Sequence, residues 1–165
     1  MSKVAANFIQ LHVVFLDDFN YKNKYENLEH LILQRNSKIK LYPNIWQVIT
    51  GTIEENETAI QTAIRELSEE TGLVPYRMWA IPYLAKFYER ISDTVQFSPT
   101  FLVIVNTKDV IISDEHIAYN WVSKINGENT LSLPSHKEGI SICQTYLENA
   151  EDLQFFEINL SKYLK

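Results

Sequence analysis

The order of apolar patterns along this 165-residue chain predicts a mixed α/β (α+β) protein. Short runs rich in β-branched and aromatic residues come first. One segment with helical spacing follows, then two longer runs of strand character, then a second helical segment. Hydrophobic residues make up 45% and charged residues 22%, so the chain can build a core without covalent staples. Its length predicts one domain over residues 1–165.

Residues 8–16, FIQLHVVFL, form the first run and predict a buried strand. Residues 17–27 are a polar turn region. Residues 28–34, LEHLILQ, alternate in part and predict a second strand. A basic loop over 36–44 and a short strand over 45–50 lead into residue 51. Thr58 and Gln61 have the spacing of a capping box at a helix start. Ile60, Ala63, Ile64 and Leu67 recur at helical spacing and predict one apolar stripe. Gly72 stands where a left-handed residue closes a helix, with Leu73 placed to pack back on it. Residues 76–90 and 96–106 predict two further strands, with Pro82 and Pro99 marking edges, bends or bulges. Residues 117–122 predict a short strand. Residues 135–149 predict a second helix with Ile140, Cys143 and Leu147 along one stripe. The tail over 151–165 is apolar enough to dock, as strand or as helix.

The formal net charge of −6 argues against a nucleic-acid coat or an anionic membrane surface as partner. Any polyphosphate must then be met by local cations. The one cysteine, Cys143, excludes an internal disulfide and reads as a small buried hydrophobe. No run approaches a membrane span, and residues 1–10 lack the apolar core of a signal peptide, so the expected location is cytoplasmic.

The residues that carry chemistry lie in 51–73, GTIEENETAIQTAIRELSEETGL. Glu66, Glu69 and Glu70 stand three and four apart, within an arc of roughly 100° on a helix. Like charges packed so closely weaken a helix unless a cation sits among them. Mg²⁺ takes oxygen ligands, commonly one or two carboxylates with water and substrate phosphates. The segment therefore suggests a metal site for a phosphorylated substrate. The alternative is a solvated acidic helix face.

Gly51, Glu57, Arg65, Glu66, Leu67, Glu69, Glu70, Gly72 and Leu73 fill every position of the signature G-x5-E-x7-R-E-U-x-E-E-x-G-U, with U a bulky aliphatic residue. The segment resembles the Nudix box. The resemblance implies the Nudix fold, a mixed sheet between helices, and hydrolysis of a phosphoanhydride with Mg²⁺ (or Mn²⁺). It implies Glu66 and Glu70 as principal metal ligands, Glu69 as ligand or base, and the Gly51 carbonyl as a further ligand. The general base, Glu66 or Glu69, stays open. Arg65 orients a box glutamate and Glu57 ties down the loop. Asn56 replaces a glycine common in the family; asparagine visits the left-handed region at modest cost.

Outside the box, the lead-in Trp46-Gln47-Val48-Ile49-Thr50-Gly51 and the segment Glu115-His116-x-x-Tyr119-x-Trp121 resemble the bacterial dihydroneopterin triphosphate pyrophosphatases. The Pro-Lys-Gly lead-in usual in diadenosine polyphosphate hydrolases is absent. This resemblance implies Arg35 on the triphosphate, Thr50 lining the pocket, a metal-directed Glu115, and Ser135 at substrate. Trp46 stacks on a pterin or belongs to the core; His116, standing alone, is structural. The expected partner is a small-molecule triphosphate or diphosphate. Dihydroneopterin triphosphate stands first, with nucleoside triphosphates or dinucleoside polyphosphates as the alternative. A catalytically silent binding module is the alternative of another class.

Overall fold

Strand β2 (Phe8–Phe15) runs through the middle of an eight-stranded mixed sheet in the computed structural model, which describes residues 1–165. The other strands are β1 (Lys3–Ala5), β3 (Glu29–Arg35), β4 (Trp46–Gln47), β5 (Ile49–Thr52), β6 (Arg77–Glu89), β7 (Thr94–Val105) and β8 (His116–Val122). The helices are α1 (Ala59–Thr71), α2 (Lys124–Thr130) and α3 (Pro134–Glu148). β2 pairs in parallel with β7 along one edge. Its other edge is shared: residues 8–11 pair with β5 and residues 14–15 with β3, both antiparallel. β2 and β3 therefore diverge from the Val14–His30 pairing, and residues 46–52 fill the wedge between them. β8 covers the far edge of β3. This is the mixed α+β architecture that the apolar pattern predicts.

Alternation along the strands assigns each side chain to a face. Ile9, Leu11, Val13, Leu31, Leu33 and Ile49 pack on the α1 face with Ala63 and Leu67. Val14, Leu102 and Ile104 pack on the α3 face with Cys143 and Leu147. Burial holds the Cys143 thiol well up, as expected for a core cysteine. The run over 8–16 is apolar in composition, yet it carries buried Gln10 and His12 onto the α3 face. Gln10 Nε2 lies 2.8 Å from His12 Nε2 and donates to the Ser135 carbonyl at 3.0 Å. α3 rides so close here that a Cβ on Gly139 would stand 2.2 Å from His12 Nε2.

The β6–β7 hairpin is the longest in the sheet, and its register shifts between Ile81 and Leu84. Pro82 sits in that bulge, where its missing N–H costs no ladder bond. Two elements carry no periodic signal. β1 is a three-residue strand paired in parallel with Thr94–Gln96 of β7. α2 is a seven-residue helix capped by Ser123, whose side chain accepts from Asn126 N. The tail resolves into 3₁₀ turns over Ala150–Phe155 and Leu160–Lys162 with one bridge, Trp79 to Glu157. It docks through Leu153 and Ile158. No helix is long and apolar enough to cross a membrane.

Candidate active site

α1 begins as the sequence predicts. Thr58 Oγ1 accepts from Gln61 N at 3.3 Å and Gln61 Oε1 accepts from Thr58 N at 2.8 Å, a closed capping box. The helix ends at Gly72, with φ 69° and its N–H donating to Ser68 O. Leu73 returns to the α1 core. Asn56 takes φ 66°, so the loop keeps the left-handed turn without glycine.

Arg65 organises the acids. Its Nε and Nη2 donate to the two oxygens of Glu57, each at 2.9 Å, a bidentate fork. Nη1 donates to Glu66 Oε1 at 2.7 Å and to Glu69 Oε2 at 3.1 Å, and Nη2 also reaches the Thr52 carbonyl. Glu57 further accepts from Thr62 Oγ1 and from the Glu54 N–H. The guanidinium holds the Glu57 carboxyl down to about 2.

The three glutamates meet three environments. Glu69 is 59% exposed, Glu66 14% and Glu70 5% at the side chain. Glu66 crosses β5 directly over Gly51: a Cβ there would stand 2.3 Å from Glu66 Cγ and 2.5 Å from its Oε1. Glycine is required at 51 for that approach. Burial pushes the Glu66 carboxyl up, Arg65 pulls it down, and the charges of Glu69 and Glu115 push it up again. Burial raises Glu70 much further, aided by Glu66 and Glu115 and opposed by Arg35. Glu70 Oε2 is buried with no hydrogen-bond partner.

Glu115 comes from the loop before β8 and is exposed. That loop is tied along the C-terminal end of α1: Ile111 N donates to Thr71 O and Ser113 N to Glu70 O. It is also tied to the end of β3, where Asn36 N donates to Glu115 O at 2.8 Å. The Glu115 charge is accordingly felt at both Glu66 and Glu70.

The substrate-binding candidates divide between two faces. Arg35 follows Leu31 and Leu33 onto the α1 face, near Glu70. Thr50 pairs with Gln10, and Ser135 accepts from Gln10 through its carbonyl, so both belong to the α3 face. Trp46 packs on that face against Ile32, Val48, Val122, Leu131 and Ile140, the core alternative for this residue. Beneath Glu70 lies a buried polar group that the motif alone does not announce: Gln47 and His116, at 3% and 4% exposure. Gln47 belongs to the lead-in that carries the subfamily resemblance, and its polar side chain at a core-facing position is the signal for a buried role. Burial holds His116 down at about 4, so it is neutral near pH 7.

The acids on this face, Glu66, Glu70 and Glu115, offer carboxylate oxygens, the donor type preferred by Mg²⁺ or Mn²⁺. The unpartnered buried Glu70 oxygen, with two acids raising it, fits a divalent cation. No three acidic, His or Cys side chains converge on one point, and Arg65 engages one oxygen each of Glu66 and Glu69. That is consistent with an ion held by one or two carboxylates together with water and substrate phosphates.

Comparison with known proteins gives the family and the fold. A dihydroneopterin triphosphate diphosphatase from Escherichia coli (strain K12) is 50% identical over 104 residues, spanning 56% of this chain and 67% of that protein. An 8-oxo-dGTP diphosphatase from Buchnera aphidicola is 30% identical over 107 residues, spanning 60% of this chain and 78% of that protein. Four further curated relatives are matched over 16% to 25% of their own length. A NUDIX hydrolase structure from Listeria monocytogenes superposes with a TM-score of 0.68 at 20% identity, covering 89% of this chain and 97% of that one, which shows the fold. The NUDIX domain model matches residues 14–136, most of the chain. With the box complete, its acids gathered on α1 and its sheet matched by a Nudix structure, the chain belongs to the Nudix family.

Proposed function

We propose that this protein is a pyrophosphohydrolase that cleaves dihydroneopterin triphosphate to the monophosphate and pyrophosphate with Mg²⁺ or Mn²⁺, in the cytoplasm. The observation that carries the hydrolase assignment is the buried, unpartnered Glu70 oxygen beside Glu66 and within the field of Glu115. Glu66 and Glu70 would hold the divalent ion together with the Gly51 carbonyl, water and substrate phosphates, with Glu115 facing it from the loop before β8. When bound, the ion cancels charge on the phosphates and lowers the pKa of water.

The chain's own groups supply the rest. Arg35 sets one cation on the α1 face toward the triphosphate, which a chain of net charge −6 needs locally. Arg65 fixes Glu66 and Glu69 in orientation through Nη1. Glu69 is the most exposed of the three and keeps an oxygen outside the Arg65 contact, so it is placed to accept the proton of an attacking water. Glu66 is the other candidate for that proton.

The substrate choice is supported by the Trp46-to-Gly51 lead-in, the Glu115-to-Trp121 segment and the likeness to the Escherichia coli enzyme. A nucleoside triphosphate is the second candidate, because the Buchnera relative is an 8-oxo-dGTP diphosphatase. The test is pyrophosphate release with Mg²⁺ across pterin and nucleoside triphosphates, dinucleoside polyphosphates and sugar nucleotides. Dihydroneopterin triphosphate should give the highest kcat/KM. A nucleotide preferred by about tenfold, or about 1.4 kcal/mol in transition-state binding, would replace it.

A further inference from the structure

Four polar groups from three strands and α1 meet under the acidic face, and one amide joins them. Gln47 Oε1 faces Arg35 Nη1 at 3.5 Å, and Gln47 Nε2 faces His116 Nε2 at 3.2 Å. His116 Nε2 lies 3.9 Å from Glu70 Oε2. Arg35 Nε, His116 Nδ1 and Glu70 Oε2 are all buried without a partner.

We propose that Gln47 is a positioning residue: its amide fixes the Arg35 guanidinium on one side and the His116 tautomer on the other, and so keeps the inner oxygen of Glu70 open. The inference rests on the metal and phosphate roles proposed above for Glu70 and Arg35.

Donor and acceptor inventory fixes the orientation of the amide and of the ring. A guanidinium only donates, so the Gln47 atom facing Arg35 must be the carbonyl oxygen. The amide nitrogen then faces His116, and it only donates. His116 Nε2 must therefore accept, which puts the imidazole proton on Nδ1. With its Nε2 lone pair engaged by Gln47, His116 has no hydrogen to offer the carboxylate beside it. Glu70 Oε2 thus faces an imidazole nitrogen without being capped by it. A partner that only accepts at position 47 would reverse this: His116 would carry its proton on Nε2, which would become a donor 3.9 Å from the Glu70 oxygen. At its other end the amide oxygen accepts from Arg35 Nη1 at 3.5 Å and restrains a long cation whose buried Nε has no hydrogen-bond partner.

The test is the nitrogen-15 spectrum of the His116 ring in the labelled whole protein, assigned by its loss in His116→Asn. The wild type should show the Nδ1–H tautomer, and Gln47→Glu should convert it to an Nε2-protonated ring. Gln47→Met, of similar length with no hydrogen bond to give, should raise KM for the triphosphate by about tenfold with kcat changed by less than about threefold. An Nε2–H tautomer in the wild type, or a spectrum and KM unmoved in both variants, would overturn the proposal. Should Gln47→Met not fold, the wild-type and Gln47→Glu spectra decide it. The spectra do not depend on turnover, so absence of triphosphate hydrolysis would remove the proposed function without touching the tautomer result.

Discussion

Glu57 and Glu70 are thirteen positions apart in one signature and sit at opposite electrostatic extremes. Glu57 faces the Arg65 fork and is held at about 2. Glu70 faces protein interior and other acids, and is pushed up. The three carboxylates on one helical arc were legible in the sequence, because 3.6 residues per turn fixes relative direction. Which of them is buried was not, because burial at Glu70 comes from β8 and the loop over 111–115, more than forty residues away. Gly51 shows the same division. Its place in the box was readable, but the reason for it, Glu66 lying across the backbone, needs the folded wedge. Gly51→Ala should leave the fold intact, since the clash is with a side chain that can swing away. It should displace Glu66 and lower kcat/KM by at least about tenfold, about 1.4 kcal/mol, at saturating Mg²⁺ with little change in Tm. Full activity in that variant would show that the Glu66 position over Gly51 does not matter.

At the scale of elements, α1 was readable from end to end, because its cap, stripe and closing glycine are all local. Thr58→Ala removes the side-chain acceptor for Gln61 N and should cost about 1 kcal/mol, seen as a lower denaturation midpoint. Thr58→Asp, which can still accept, should restore most of it. β1 and α2 were not readable. β1 is fixed by parallel pairing with β7 some ninety residues on, and three residues are too few for a period. α2 contains Gly127, Asn126 and Asn129, weak helix formers that tertiary packing overrides. The split of the substrate candidates between two faces was also hidden. Arg35 and Thr50 are drawn from strands whose pairing around the wedge only the structure shows.

At the scale of the whole molecule, the α3 face encloses three histidines from three elements: His12, His30 and His136. Burial holds His30 and His136 down at about 4 and His12 well below its usual value, with His136 and His30 adding to the last. All three are neutral in the fold, while the unfolded chain takes up protons at about 6.5. Their contribution is therefore complete above pH 6.5 and is lost as pH falls toward 4, at up to about 1.4 kcal/mol per pH unit for each histidine. Glu70 works in the opposite sense, since burial raises it and protonation relieves its cost. Urea unfolding of Glu70→Gln without divalent ions should thus show a clear loss of stability from pH 7.5 to pH 5. A flat profile there would mean that the histidines are not neutral and enclosed.

Glu70, buried with one oxygen open, is the group on which the proposed divalent-ion site for splitting a phosphoanhydride depends. The deciding experiment is Mg²⁺-dependent pyrophosphate release from dihydroneopterin triphosphate by the wild type and by Glu70→Gln, with Tm recorded for both. The wild type should turn over substrate only with the ion present. In Glu70→Gln turnover should fall by roughly two to three orders of magnitude, about 3–4 kcal/mol in barrier, with Tm kept or raised. Wild-type turnover in a folded Glu70→Gln protein would contradict that role for Glu70.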